Sequence, residues 1–125
     1  MQVLYTISGR VFEGDHRGRE LGFPTANIRL HKHIPQGIYA SSVSINGKVY
    51  NAATFVGSAK TFMKMQVIVE SFIFDFTGDL YGKWLSVKLF EKIRENEKFA
   101  SVEELIAQMN RDVKNIKSFF AKEQG

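Results

Sequence analysis

Up to about Phe90 the chain alternates short apolar-rich runs with glycine-containing turns, a pattern that predicts an antiparallel sheet closed into a barrel or sandwich. A first strand is expected from Val3 to Phe12, followed by a polar, glycine-rich loop from Glu13 to Leu21 and a strand from Ile28 to Leu30. Between Ile38 and Ile45 one parity holds Tyr39, Ser41, Val43 and Ile45. Asn46-Gly47 then supplies two residues tolerant of positive φ before Lys48 to Phe55 returns, which predicts a hairpin. Met65 to Phe76 and Lys83 to Phe90 are two further runs of high β-propensity, joined by the turn-forming segment Thr77 to Gly82, and are expected to pair.

After the last strand the period changes. Ser101-Val102-Glu103-Glu104 forms a capping box, with Glu104 placed to reach the backbone N–H of Ser101. Val102, Leu105, Ile106, Met109, Val113, Ile116 and Phe120 then recur at helical spacing, so one face of a C-terminal helix is expected on the barrel. Lys114, Lys117 and Lys122 are left for water and the helix's negative end. No repeat or linker interrupts the pattern, and 125 residues, 44% of them hydrophobic, suit one core, so a single domain over 1–125 is expected.

The absence of cysteine removes disulfides, thiolate metal sites and cysteine nucleophiles. With no basic leader or membrane-length apolar run, the expectation is a cytoplasmic protein without a membrane partner. The net charge of +4 is spread over loops and the last helix, which suits a polyphosphate ligand as well as a nucleic acid. His16, His31 and His33 lack a third ligand at zinc spacing and read as loop residues.

Candidate chemistry concentrates near the first loop. Gly9, Gly14, Gly18 and Gly22 are interleaved with Arg10, Arg17 and Arg19, so bare backbone N–H groups and guanidinium forks can surround phosphate; the same glycines also suit strand ends and turns. In Pro24-Thr25-Ala26-Asn27 the hydroxyl of Thr25 and the amide oxygen of Asn27 lie two residues apart. They suit a hard cation such as magnesium, which takes few protein oxygens, or merely serve a turn.

Gly18-Arg19-Glu20-Leu21-Gly22-Phe23-Pro24-Thr25-Ala26-Asn27-Ile28 resembles the signature of riboflavin kinases, including the kinase half of bacterial bifunctional FAD synthetases. Similar segments follow in family order: Gly37-Ile38-Tyr39-Ala40, Gly57 with Thr61-Phe62, Glu70 before Asp75-Phe76, Asp79-Leu80-Tyr81-Gly82, and Arg94 to Phe99. The resemblance implies a mainly β fold, a six-stranded antiparallel Greek-key barrel with a C-terminal α-helix. It implies transfer of the γ-phosphoryl of ATP to the ribityl 5′-hydroxyl of riboflavin, giving FMN, with Mg2+ as cofactor.

By the same resemblance Thr25 and Asn27 hold the metal–nucleotide, and Gly14, Arg17, Gly18, Arg19, Gly22 and Pro24 form the phosphate site. Glu70 is the base, and Tyr81, Arg94 and Glu97 lie toward the flavin, whereas Phe99 suits an anchor for the helix start. Glu70 shares a parity with Ile68, Phe72, Phe74 and Phe76, an apolar setting of the kind that raises carboxylate basicity. Val67, Val69 and Ile73 make the opposite face apolar too, so alternation leaves open which side is the core.

Two positions depart from the family. Lys60 stands where a proline usually precedes the threonine here numbered Thr61, and Phe72 stands where a histidine is frequent. The segment between Phe62 and Glu70 is also short. These changes keep a second reading open, a flavin- or nucleotide-binding module of the same fold with weakened catalysis. A third, a basic barrel for single-stranded nucleic acid, rests on charge and a 13% aromatic content alone, so small-molecule substrates rather than nucleic acid are the expected partners. With no adenylyltransferase segment ahead of it, the expectation is either a stand-alone kinase or a kinase domain whose partner is an N-terminal FAD synthetase domain.

Overall fold

The computed structural model describes residues 1–12, 22, 24–61 and 64–124, excepting the side chains of 59–61, 64, 65 and 124. Six strands, β1 (Tyr5–Arg10), β2 (Ala26–Arg29), β3 (Gly37–Ile45), β4 (Lys48–Thr61), β5 (Lys64–Ile73) and β6 (Trp84–Arg94), precede helix α1 (Val102–Gln124). They form one antiparallel sheet in the order β1-β6-β3-β4-β5-β2. The two edges meet where the Phe12 N–H donates to the Asn27 carbonyl at 2.9 Å, bringing the sheet close to a closed barrel. Gly9 makes that approach possible, because a Cβ there would lie 2.4 Å from Ile28 Cγ2.

The Asn46-Gly47 hairpin forms as the sequence predicts, with φ of 50° and 82° and Ile45 paired to Lys48. β4 runs past the expected end at Phe55 because its first part pairs with β3 and its second with β5. β5 stops at Ile73, short of the expected Phe76, and Asp75 turns the chain at φ 57°. β6 continues beyond Phe90 to Arg94 by pairing with the start of β3, and contrary to expectation it does not pair with β5: β6 lies between β1 and β3, whereas β5 lies between β4 and β2.

Alternation sorts the strands into two cores. Ile7, Tyr39, Val43, Val56, Val69, Leu85, Val87 and Leu89 fill the barrel interior. Outside it, Ala40 and Phe74 pack with Ile116 and Phe120 of α1, flanked by Phe72, Phe90 and Val113. The helix starts as expected, with the Ser101 hydroxyl accepting from the Glu104 N–H at 3.2 Å, but Glu104 reaches the N–H of Ala100, not of Ser101. Val102, expected on the packed face, is exposed in the first turn. Further along, the Asp112 carboxylate of α1 accepts from Arg94 Nε at 2.8 Å and Nη2 at 2.7 Å, tying the helix to the end of β6.

Candidate active site

β2 and β5 pair so that Asn27 lies opposite Glu70 and Ala26 opposite Ser71. Paired residues share a face. Ser71 and Val69 turn into the barrel, where Val69 is fully buried, while Asn27 and Glu70 face outward. Glu70 therefore does point away from the interior, yet it is half-buried, in a row whose next outward residues, Phe72 and Phe74, lie beneath α1. The Thr25 hydroxyl, just ahead of β2, donates to Glu70 Oε1 at 2.7 Å. One turn of sequence and one strand thus bring together the three oxygen-bearing side chains that the sequence singles out.

The donor set of a threonine hydroxyl, an amide oxygen and a nearby carboxylate is all oxygen, as a hard divalent cation requires. Thr25 can donate its proton to Glu70 and still offer lone pairs to such an ion. His31 and His33 lie on the connection between β2 and β3, and His16 lies outside the described residues.

Beside this cluster opens a cavity of about 520 Å3, lined among others by Phe12, Pro24, Thr25, Asn27, Ser71, Phe76 and Tyr81. Its far wall is the β5–β6 loop, stitched down by hydrogen bonds from Gly82 N to the Val11 carbonyl (2.9 Å), from Arg10 Nη1 to the Gly82 carbonyl (2.7 Å), and from Tyr81 N to Asp79 Oδ1 (2.9 Å). Tyr81, expected on the flavin side, lines this cavity with Thr25 and Asn27, whereas Arg94 lies at the opposite end of β6. The structure does not bring Tyr81 and Arg94 together.

Arg94 is itself committed. Nε and Nη2 are held by Asp112, Nη1 donates to the Glu95 carbonyl at 2.9 Å, and the guanidinium carbon lies 5.9 Å from the centre of the Phe99 ring. It organises the segment after β6, on which Glu97 is exposed. Gly22 adopts φ 90° and serves a turn in which glycine is favoured. Gly14, Arg17, Gly18 and Arg19 lie outside the described residues. Phe72 meets Phe74 edge to face at 5.7 Å, so the departure at 72 extends the apolar layer under the helix.

Sequence reasoning missed Ser71, Phe12 and Phe76 on the cavity wall, and it missed a buried hydroxyl ladder behind Ser71. Ser41 Oγ donates to the Ala52 carbonyl (2.9 Å), Ser41 and Thr54 hydroxyls lie 2.6 Å apart, and Thr54 and Ser71 hydroxyls 2.8 Å apart. Since Ser41 spends its proton on Ala52, Thr54 donates to Ser41 and Ser71 to Thr54. The one signal available was Ser41 on an otherwise apolar parity.

The riboflavin kinase family model matches residues 1–120, and the chain belongs to that family. Among curated relatives, the bifunctional riboflavin kinase/FMN adenylyltransferase of Haemophilus influenzae is 39% identical over 119 residues, 93% of this chain and 39% of that protein. Its Listeria monocytogenes counterpart is 40% identical over 122 residues, covering 94% of this chain and 39% of that protein. The chain thus spans about two-fifths of the length of these relatives. Among solved structures, a Streptococcus pneumoniae chain described as a macrolide-efflux protein superposes with a TM-score of 0.80 at 36% identity, covering 90% of this chain and 38% of that one. Riboflavin kinase from Trypanosoma brucei shares the fold, with a TM-score of 0.68 at 24% identity over 95% of this chain and 81% of that one. No helix among the described residues is long and apolar enough to cross a membrane.

Proposed function

We propose that this domain is a riboflavin kinase that transfers the γ-phosphoryl of ATP to the 5′-hydroxyl of riboflavin, giving FMN and ADP. The observation that carries the proposal is the hydrogen bond from Thr25 to Glu70 beside the opposed Asn27, which joins a carboxylate to two oxygen-bearing residues that line a cavity. Phosphoryl transfer asks little more of a protein than positioning, charge stabilisation and an oriented nucleophile.

In this reading Glu70 accepts the 5′-hydroxyl proton as the new O–P bond forms and the bond from the γ-phosphorus to the β–γ bridging oxygen breaks, leaving ADP. Thr25 fixes the carboxylate's orientation, and Thr25 and Asn27 hold Mg2+. When bound, the cation neutralises charge on the phosphate oxygens. The family resemblance assigns Gly14, Arg17, Gly18, Arg19 and Gly22 to the phosphates; Pro24 fixes the entry to the site, Tyr81 walls the nucleotide cavity, and Arg94 and Glu97 shape the flavin end. The names of the bifunctional relatives support an adenylyltransferase domain as the partner of this one in a longer cytoplasmic protein.

Incubation with riboflavin, ATP and Mg2+, followed by chromatography of the flavins, tests the proposal. Metal-dependent FMN formation is expected. Riboflavin binding without FMN would indicate the weakened binding module, and neither would leave only the shared fold.

A further inference from the structure

Five residues on five strands form one transverse row. Asn27 pairs with Glu70, Glu70 with Phe55, Phe55 with Ile38, and Ile38 with Arg94. Directly paired residues share a face, and Val56 and Thr54, which flank Phe55 on β4, are wholly buried in the barrel, so the row lies on the outside. The adjacent row, Ala40, Ala53 and Phe72, is covered by α1, while Phe55 is half-buried beyond it.

The Phe55 ring leans along its own strand. A Cβ at Gly57 would lie 2.2 Å from its Cζ and 2.8 Å from both Cε atoms, so the ring tip occupies the space that the glycine leaves bare. On the same stretch, Asn96 Nδ2 donates to the Val56 carbonyl at 3.2 Å, bringing the segment that follows Arg94 over β4. An aromatic ring thus sits between the proposed base and the segment organised by Arg94.

We propose that Phe55 is a flavin-contact residue of this chain, the platform on which riboflavin lies between Glu70 and Arg94; the inference rests on the kinase reading of the site. Strands are spaced about 4.8 Å apart, so three steps from Glu70 to Arg94 span roughly 14 Å, comparable with a ribityl chain plus an isoalloxazine ring. With the 5′-hydroxyl at Glu70, the isoalloxazine extends over Phe55, whose aromatic ring suits its large apolar face, and reaches the edge of Ile38, which is itself half-buried against the core under α1. Gly57 is required because any side chain there would displace the platform.

The test measures riboflavin affinity by quenching of flavin fluorescence without nucleotide, together with KM for riboflavin and for ATP, on wild type, Phe55→Ala, Phe55→Leu and Gly57→Ala, each checked for folding by circular dichroism. Phe55→Ala is expected to weaken riboflavin binding roughly tenfold or more, the scale of a lost aromatic contact and its buried area, with the KM for ATP changed less than about twofold. Gly57→Ala, which keeps the ring but moves it, is expected to weaken riboflavin binding in the same direction, and Phe55→Leu by less than alanine does. Unchanged riboflavin affinity in folded Phe55→Ala and Gly57→Ala, with wild type making FMN, would overturn the platform and leave the kinase standing. A wild type that binds no riboflavin would overturn both.

Discussion

The Thr25 hydroxyl donates to Glu70 Oε1 across 45 residues of sequence, at 2.7 Å. This bond locks the turn ahead of β2 to the middle of β5 and aims a carboxylate that strand pairing alone places only to within a side chain's reach. Thr25→Val removes both the donor and the proposed cation ligand and is expected to lower kcat/KM for FMN formation by roughly a hundredfold, within the range for loss of a positioned acid–base group. Thr25→Ser, which keeps the hydroxyl, is expected to stay close to wild type. Steady-state kinetics on the two variants check this.

The pair of Arg94 with Asp112 is the main polar tie between helix and barrel, and both side chains are largely buried, at 19% and 7% exposure. Gln108 Nε2 also donates to Asp112 at 2.8 Å. Asp112→Ala leaves the guanidinium without its partner and is expected to cost about 3 kcal/mol, at the lower end for broken buried pairs because Arg94 keeps some water. Urea unfolding monitored by circular dichroism measures it.

Behind the cavity, Thr54 is wholly buried and is the central link of the hydroxyl ladder from Ser41 to Ser71. Thr54→Val keeps the shape and deletes both bonds, so it is expected to destabilise by about 1–3 kcal/mol, whereas Thr54→Ser should recover most of the loss. A lowered thermal midpoint for valine alone is the expected result.

Tyr39 gives a pH dependence. Burial, with smaller contributions from Tyr5 and Glu95, pushes its hydroxyl above the ordinary value of 10.0, and the hydroxyl donates to the Pro35 carbonyl. The folded state favours the protonated form, so this contribution to stability is fully present below about pH 10 and is lost as pH rises through the raised value. Tyr39→Phe is expected to blunt that alkaline loss of stability, which denaturation midpoints at pH 8 and at about pH 11 would reveal.

The sequence was most legible where one local rule governed. Asn46-Gly47 marked its hairpin, Ser101 and Glu104 marked the helix start, and the parity of Tyr39, Val43 and Ile45 marked the interior. β5 defeated alternation because both its faces are apolar, one in the barrel and the other running beneath the helix, so the outward position of Glu70 followed only from pairing. The role of Phe55 was hidden for the same reason. It depends on register across β2, β5, β4, β3 and β6, and no local pattern encodes that register. The separation of Tyr81 from Arg94 likewise follows from the length of β6, which starts just after the loop that carries Tyr81 and ends at Arg94.

The proposed role of Glu70 as acceptor of the attacking hydroxyl's proton is tested most directly by single-turnover FMN formation by Glu70→Gln against wild type, with riboflavin and magnesium–ATP saturating. The amide keeps the size and the bond from Thr25 but is a far poorer base, so the chemical step is expected to slow by about a hundred- to ten-thousandfold while riboflavin binding persists. An unchanged rate would contradict the assignment.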